Sequence, residues 1–198
     1  MPRRRKIAIL IGSRGRGSNM AALAKACASG DLPAEVVAVV APSPDLPAVE
    51  AAKGLGLQVV ALSSATEDYP NQLLKALQVR EAEFICLAGY LRLLPAEVLQ
   101  TFPNRILNIH PSLLPKFGGQ GMYGLRVHEA VLAAGEKVSG CTVHLVSERY
   151  DEGQVLLQMT CPVEPGDSKE SLAARVLALE HVAYPKALKA LMQKDGPQ

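Results

Sequence analysis

The sequence predicts an α/β fold, in which a mostly parallel, twisted sheet with helices on both faces is followed by late antiparallel strands and a long C-terminal helix. Apolar runs alternate with amphipathic segments in the first half of the chain, which is typical of βαβ units with right-handed crossovers. In the second half, two strand-like runs directly precede one long amphipathic stretch. At 198 residues, the chain is predicted to form a single domain, 1–198.

The first half is predicted to contain five strands separated by helices. The strands are expected at 7–11, 35–41, 58–62, 84–87 and 106–109. Helices are expected at 19–29, 47–54, 69–80 and 96–100, and Gly30 is expected to end the first of them.

The second half is predicted to contain a short helix near 127–133, a hairpin and the long final helix. The runs 139–146 and 155–163 flank a polar turn, which favours antiparallel pairing. The segment 167–170 resembles a capping box, and Pro185 is expected to kink or restart the helix that follows.

Composition excludes several classes of protein. A net charge of +2 predicts no general affinity for polyanions, and the basic tip 2–6 is interpreted as a solvated tail. No apolar run is long enough for a signal-peptide core or a membrane span. The cysteines form no C-x-x-C pair and are expected to be buried, reduced thiols of a cytoplasmic protein; they are Cys27, Cys86, Cys141 and Cys161.

The strongest candidate for a reactive site is the pair Asn108 and His110. Residues two apart on a strand project from the same face, so a hydrogen-bond donor and a proton carrier would point the same way. Pro111 ends this strand, and ligands of open α/β sheets bind outside the carboxyl ends of the strands.

A glycine-rich loop, 12–19, lies between the first strand and the first helix. Glycine allows backbone N–H groups to approach an anion, and a helix N-terminus favours negative charge. Gly17, Ser18 and Asn19 are therefore a candidate phosphate-binding loop, although the segment matches neither G-x-G-x-x-G nor a Walker loop. The alternative is a tight turn with a Ser or Asn cap.

Other polar residues are left with two interpretations. Asp151 is a solvated turn residue unless the fold brings it beside His110, where it would raise the pKa of the imidazole. Glu180 lies at the edge of a buried stripe, where it is either solvated or partnered. His144 is expected to hydrogen-bond between strands, and His128 to face solvent. The four-glycine segment 117–124 is expected to be mobile, either as a loop that closes over substrate or as an irregular surface loop.

Six segments, in order along nearly the whole chain, together resemble the phosphoribosylglycinamide formyltransferase family of folate-dependent formyltransferases. The segments are 17–19, 87–94, 108–115, 140–144, 151–153 and 180–181. The resemblance implies transfer of a formyl group from 10-formyltetrahydrofolate to the amine of glycinamide ribonucleotide in de novo purine biosynthesis. It also implies a nucleotide-binding N-terminal half with a folate cleft towards the second half.

The resemblance implies specific residue roles. Catalysis falls to Asn108, His110 and Asp151. The substrate is held by Gly17, Ser18, Asn19 and Glu180, and the folate by Asn108 with Leu91, Arg92, Leu93 and Leu94. The folate is a cosubstrate and no metal is implied. The expected partners are the two substrates, without nucleic acid or membrane, and the chain is expected to be a monomer or homodimer.

Two segments depart from the family pattern. Arg14 and Arg16 make the phosphate loop more basic, and they either assist the phosphate or face solvent. The segment 117–124 resembles only a subset of the family, so Lys116 and Tyr123 have no assigned role.

The expected mechanism is direct attack of the amine on the formyl carbon, because no Ser or Cys nucleophile with a paired base is evident. Asn108 would donate to the developing oxyanion, while His110, as imidazolium kept charged by Asp151, would stabilise it and relay protons.

Four other functions would be expected to leave different features in the sequence. Formyltetrahydrofolate hydrolases are expected to add an N-terminal domain, and methionyl-tRNA formyltransferases a C-terminal one. A dinucleotide-dependent oxidoreductase should show G-x-G-x-x-G and an acid after the second strand, where 41–44 reads Ala-Pro-Ser-Pro. A non-catalytic nucleotide-binding module would need neither Asn108 nor Asp151.

Overall fold

A computed structural model describes residues 3–196 and contains one seven-stranded sheet with the strand order β3-β2-β1-β4-β5-β6-β7. The strands are β1 (Arg5–Ile11), β2 (Ala34–Ala41), β3 (Val59–Ala61), β4 (Phe84–Ala88), β5 (Ile106–His110), β6 (Val138–Leu145) and β7 (Val155–Pro162). The helices are α1 (Ser18–Ser29), α2 (Pro47–Gly54), α3 (Tyr69–Val79), α4 (Ala96–Thr101), α5 (Leu125–Ala133) and α6 (Lys169–Lys194).

The predicted fold class is confirmed, and the predicted elements agree with the structure to within about two residues at their ends. Strands β1 to β5 pair in parallel, β5 pairs with β6 antiparallel, and β6 forms the expected hairpin with β7. The order reverses at β1, since β2 and β4 lie on its two sides. The carboxyl ends of β1, β4 and β5 therefore form the edge at which an α/β sheet binds ligands.

Helices cover both faces of the sheet because alternate strand residues point to opposite sides. Ile7, Ile9 and Ile11 of β1 belong to one apolar core, which includes residues of α1, α2, α5 and α6. Ala8 and Leu10 belong to a second core with α3 and α4. Strands buried on both faces in this way appear in the sequence as continuous apolar runs.

The capping box of helix α6 and the effect of its proline both differ from the prediction. Ser168 is the N-cap and forms a capping box with Ser171, whereas Asp167 accepts a hydrogen bond from Ser171 Oγ and pairs with Arg175. The predicted box over 167–170 is thus wrong by one residue. Pro185 lies inside one uninterrupted helix, so it does not restart it.

Three other predictions concern burial. All four cysteines are free and buried, as expected. His128 is only 4% exposed, so the expectation that it faces solvent is wrong. The solvated-tail interpretation is wrong for Arg5 and Lys6, which begin β1; Arg5 forms ion pairs with Glu83 and Asp195. Pro2 lies outside the described residues.

Within residues 3–196, no helix has the length and apolarity needed to cross a membrane.

Candidate active site

A cavity of about 680 Å³ opens at the carboxyl ends of β1, β4 and β5. It is lined by all the predicted site residues and by two further histidines: Gly17, Ser18, Asn19, Leu91, Arg92, Leu93, Leu94, Asn108, His110, His128, His144, Asp151 and Glu180. The fold therefore brings distant segments together in one site: the β1–α1 loop with the start of α1, the β4–α4 loop, β5, α5, β6, the β6–β7 loop and α6.

Asn108 and His110 point into the cavity from β5, and β6 and the following loop supply their partners. The His110 Nδ1 atom lies 3.5 Å from Asp151 Oδ2, and its Nε2 atom lies 2.8 Å from the carbonyl oxygen of Phe117. Asn108 pairs with His144 across the sheet, and their Nδ2 and Nε2 atoms are 3.1 Å apart. The structure therefore brings Asp151 beside His110, the condition under which Asp151 becomes a functional candidate.

The amide of Asn108 is held in one orientation by His144. The His144 Nδ1 atom donates a 2.9 Å hydrogen bond to the carbonyl oxygen of Leu145, which orients the ring so that Nε2 lies 3.1 Å from Asn108 Nδ2 and 3.5 Å from Asp151 Oδ1. One hydrogen of the Asn108 Nδ2 group faces Asp151 Oδ1 at 3.5 Å, a weak contact. This hydrogen is free to move to a better acceptor, such as an oxyanion.

The loop after β6 is shaped to present Asp151. Asp151 adopts a left-handed conformation with φ of 57°, which Asp tolerates better than most residues. A Cβ atom on Gly153 would lie 1.6 Å from the Leu145 carbonyl oxygen, so only glycine fits there. Asp151 Oδ2 also accepts a hydrogen bond of 2.9 Å from the Gly119 N–H.

The titration of the cluster follows from burial and from these contacts. Burial lowers the pKa of His110, and the nearby Asp151 carboxylate opposes this only in part. Burial alone would raise the pKa of Asp151, but the contacts with His144, His110 and the Gly119 N–H hold it below its usual value. In the free protein the Asp151 carboxyl is therefore ionised at neutral pH, while burial favours the neutral form of His110.

The other end of the cavity is formed by the start of α1. Gly17 is the N-cap residue with φ of 76°, and a Cβ atom there would lie 2.8 Å from Met20 Cε. Among the described residues, no side chain caps this helix, so the alternative of a Ser or Asn cap is wrong. The N–H groups at the start of α1 are thus open to an anion.

Glu180 projects from α6 towards this same end. It is 7% exposed, and its Oε2 atom accepts a hydrogen bond of 2.6 Å from Asn19 Nδ2. Burial raises the pKa of Glu180, the hydrogen bond from Asn19 opposes this in part, and the net value is about 7. Of the two interpretations of Glu180, the partnered one is therefore confirmed. The Asn19 Oδ1 atom is buried and accepts no hydrogen bond from the described residues.

The segment after β4 forms an apolar wall. Leu91 and Leu93 are 41% and 47% exposed, whereas Leu94 is buried in the second core. Exposed leucines beside a cavity favour contact with an apolar part of a ligand.

The glycine-rich segment 117–124 covers the site between its two ends. The carbonyl of Phe117 and the N–H of Gly119 contact His110 and Asp151, and Tyr123 contacts Arg14 through a 3.2 Å hydrogen bond. Among the two interpretations of this segment, its place in the cavity wall favours a role near substrate.

Sequence reasoning missed two histidines in the site. His144 was expected only to link strands, but it also orients Asn108; its cross-strand register with Asn108 was the signal that could have found it. His128 is buried in the cavity wall with an Nδ1 atom that has no partner among the described residues. Burial and then the charge of His110 lower the pKa of His128 to about 4.

The buried cysteines do not resemble nucleophiles. Burial raises the pKa of Cys27 to about 11 and that of Cys141 to about 12, which keeps both thiols protonated. Among residues 3–196, no group of three or more His, Cys, Asp or Glu side chains is arranged to hold a metal ion.

The site thus combines an acid–imidazole–amide cluster with an uncapped helix start at the carboxyl edge of a mostly parallel sheet, an arrangement typical of an α/β enzyme. Residues 5–188 match the model of the formyl transferase family, and the chain belongs to that family. It is 40% identical over 198 residues to the chloroplastic phosphoribosylglycinamide formyltransferase of Arabidopsis thaliana, covering 98% of this chain and 67% of that protein.

Solved structures give the same result. Glycinamide ribonucleotide transformylase 1 of Symbiobacterium toebii matches with a TM-score of 0.89 and 37% identity, over 98% of this chain and 90% of that one. The phosphoribosylglycinamide formyltransferase of Brucella melitensis matches with a TM-score of 0.85 and 43% identity, over 94% and 95% of the two chains. The predicted enzyme class, a formyltransferase of this type, is thereby confirmed.

Proposed function

We propose that the chain transfers a formyl group from 10-formyltetrahydrofolate to the amine of glycinamide ribonucleotide; the names of its relatives support the formyl transfer and the acceptor. The observation that carries the proposal is the composition of one cavity. It holds an ionised Asp151 against His110 and Asn108 at one end, and the open N-terminus of α1 with Glu180 at the other. A phosphorylated substrate with a reactive amine would fit across these two ends.

The ribonucleotide extends through the cavity from the start of α1 to the cluster of Asn108, His110 and Asp151. Its phosphate accepts hydrogen bonds from the N–H groups of Gly17, Ser18 and Asn19, where the dipole of α1 favours negative charge. Glu180 accepts hydrogen bonds from the ribose hydroxyls, and the open Asn19 Oδ1 atom supplies a further acceptor. This arrangement directs the glycinamide amine towards Asn108 and His110.

The folate occupies the side of the cavity formed by Leu91, Arg92, Leu93 and Leu94. The exposed leucines pack against the pterin ring, and the glutamate tail extends to solvent. Asn108 lies at the junction of the two substrates, so its free N–H can reach the formyl oxygen.

The reaction proceeds through a tetrahedral intermediate. The amine nitrogen bonds to the formyl carbon, the carbonyl electron pair moves onto oxygen, and Asn108 donates a hydrogen bond to that oxyanion. His110 begins as a neutral imidazole, exchanges one of its present contacts, and takes the proton released by the attacking nitrogen. Asp151 stabilises the resulting imidazolium. The proton then passes to N10 of the folate as the carbon–N10 bond breaks, which yields formylglycinamide ribonucleotide and tetrahydrofolate.

Several broader properties complete the proposal. Residues 1–198 act as a single formyltransferase domain in de novo purine biosynthesis, working as a monomer or homodimer without a metal, nucleic acid or membrane. A cytoplasmic location is proposed because four buried free thiols suit a reducing compartment.

The proposal is tested by incubating the purified protein with 10-formyltetrahydrofolate and one acceptor at a time. We expect tetrahydrofolate to form with glycinamide ribonucleotide, with equal formation of formylated nucleotide. Release of formate without the acceptor would identify a hydrolase, and transfer only to methionyl-tRNA would identify the tRNA enzyme. Absence of turnover with intact binding of the nucleotide would leave a binding module, and turnover that requires NAD(P) would indicate an oxidoreductase.

A further inference from the structure

The cavity carries an excess of positive charge that the proposed catalytic and substrate-binding residues do not explain. Among the described residues that line it, the cations are all arginines: Arg14, Arg16, Arg92, Arg126 and Arg149. Helix α6 contributes no cation to the wall, because it presents Ala173, Leu177 and Glu180 there. The positive charge at the nucleotide end must therefore come from segments other than α6.

Arg14 and Arg126 differ from the other three arginines because both lie against Tyr123. The Arg14 Cζ atom is 5.3 Å from the centroid of the Tyr123 ring, and the Arg126 Cζ atom is 5.2 Å from it. Arg14 Nη1 also donates a 3.2 Å hydrogen bond to the Tyr123 hydroxyl. One guanidinium comes from the β1–α1 loop and the other from the start of α5, so a single ring holds two charges from distant segments.

This arrangement places two positive charges beside one aromatic ring, without a neutralising partner for either among the described residues. No carboxylate of residues 3–196 forms an ion pair with Arg14 or Arg126, whereas Arg149 pairs with Glu152 at 3.3 Å. A cation–π contact at an exposed site is worth only about 0.5–1 kcal/mol. An anion bound by both guanidinium groups would neutralise the two charges and satisfy their donors.

The surroundings favour an anion carrying two charges. Both α1 and α5 begin after a glycine N-cap, Gly17 or Gly124, without a side-chain cap or an acidic residue in the first turn. Both helix starts line the same cavity as the two arginines. Guanidinium groups match the oxygen spacing of a phosphate through paired hydrogen bonds.

The geometry points to Arg14 and Arg126 as a clamp that binds the terminal phosphate monoester of the substrate, with Tyr123 as the residue that positions both guanidinium groups. This assignment rests on the proposed function for the identity of the whole substrate. It gives a role to Tyr123 and resolves the choice for Arg14 in favour of the phosphate. It also makes discrimination between a nucleotide and its nucleoside a property of these three side chains.

The first experiment compares glycinamide ribonucleotide with its dephosphorylated nucleoside as formyl acceptors for Arg14→Gln and Arg126→Gln. Charged hydrogen bonds of this kind predict a rise of roughly 10- to 100-fold in KM for the nucleotide. The kcat, the KM for folate and the kcat/KM for the nucleoside should change less than threefold. An unchanged nucleotide KM, or an equal loss with the nucleoside, would overturn the clamp.

Arg4→Gln is the matched control, since it removes the same charge from an exposed arginine. Arg4 immediately precedes β1, at the edge of the sheet opposite the cavity. We expect its nucleotide KM to equal that of the unaltered protein. If Arg4→Gln raised KM as much as Arg14→Gln does, a general electrostatic effect would replace the clamp.

Tyr123 is tested by a pair of variants. Tyr123→Phe keeps the ring and should retain a nucleotide KM within about threefold, whereas Tyr123→Leu removes the ring and should raise it towards the arginine variants. Equal behaviour of the two variants would exclude a positioning role for the ring.

Binding of ribose 5-phosphate by calorimetry separates this inference from the proposed function, because it requires no formyl transfer. Arg14→Gln should weaken that binding roughly 10- to 100-fold. If it does so in a protein that cannot formylate glycinamide ribonucleotide, the clamp stands and the proposed reaction falls. If binding is unchanged, the clamp is wrong whatever the reaction.

Discussion

The two ends of the cavity are built in opposite ways. At the Asp151 end, the polar groups are buried and interlocked: His110 and Asp151 are 3.5 Å apart, and Asn108 contacts both His144 and Asp151. At the Arg14 end, the helix start is uncapped and the two stacked arginines form no ion pair with residues 3–196. The first end is preorganised for charge that develops during a reaction, while the second leaves its donors open for a ligand that arrives already charged.

This contrast predicts that substitutions will divide by kinetic constant. Changes at the interlocked end should lower kcat, because its hydrogen bonds are used in the transition state. Changes at the open end should raise KM for the nucleotide, because its hydrogen bonds form equally in the bound substrate and the transition state.

The largest effect is expected for Asn108→Ala. An oxyanion donor is worth about 2.7–4 kcal/mol, so kcat should fall roughly 100- to 1000-fold while nucleotide affinity stays within a few-fold. Steady-state kinetics with both substrates would measure this. A variant with near-full kcat would remove Asn108 from the chemistry.

A smaller effect, specific to pH, is expected for Glu180→Gln. Folding raises the pKa of this buried carboxyl from 4.5 to about 7, so the protonated form is favoured in the folded state. The stability that Glu180 contributes is present below pH 4.5 and is lost as pH rises through 7. At pH 8, Glu180→Gln should therefore raise the free energy of unfolding by about 3 kcal/mol.

Urea unfolding at pH 4.5 and pH 8 would measure that difference. The same substitution should raise the nucleotide KM, because a neutral amide replaces the carboxylate that holds the ribose. A variant whose stability shows the same pH dependence as the unaltered protein would place the titration elsewhere.

The smallest effect is expected for Tyr184→Phe, which lies beneath the site without lining the cavity. The Tyr184 hydroxyl is fully buried and contacts the carbonyl oxygens of Leu87 and Leu107, at 2.9 and 3.0 Å. Its loss should cost about 1 kcal/mol in the free energy of unfolding. The kcat and KM should stay unchanged; a large fall in kcat would mean that this support under β4 and β5 belongs to the catalytic apparatus.

The sheet and the catalytic strand were predictable from the sequence because they depend on local pattern. Continuous apolar runs identified the strands, and the two-residue spacing of Asn108 and His110 placed both side chains on one face. The glycines before α1 predicted a phosphate-binding loop as one of two alternatives, and the helix start proves to have no side-chain cap. Each of these inferences needs only residues that are close together in the chain.

The rest depended on contacts between distant segments. Asp151 reaches His110 only because the loop between β6 and β7 folds back over β5, and the hairpin pattern does not specify that path. His128 is buried because α5 packs both against α6 and beside the cavity, although a histidine next to Glu129 suggests a solvated face. The sequence also left open the state of Glu180, whose partner Asn19 lies 161 residues away.

The central claim, that chemistry belongs to the interlocked end and binding to the open end, is tested most directly by Asp151→Asn. This change keeps an acceptor for the Gly119 N–H but removes the charge that stabilises the His110 imidazolium. The measurement is single-turnover formyl transfer together with calorimetric binding of glycinamide ribonucleotide. We predict a rate at least 100-fold lower with nucleotide affinity within threefold. An unchanged rate, or a loss of affinity as large as the loss of rate, would contradict the division of the cavity into these two ends.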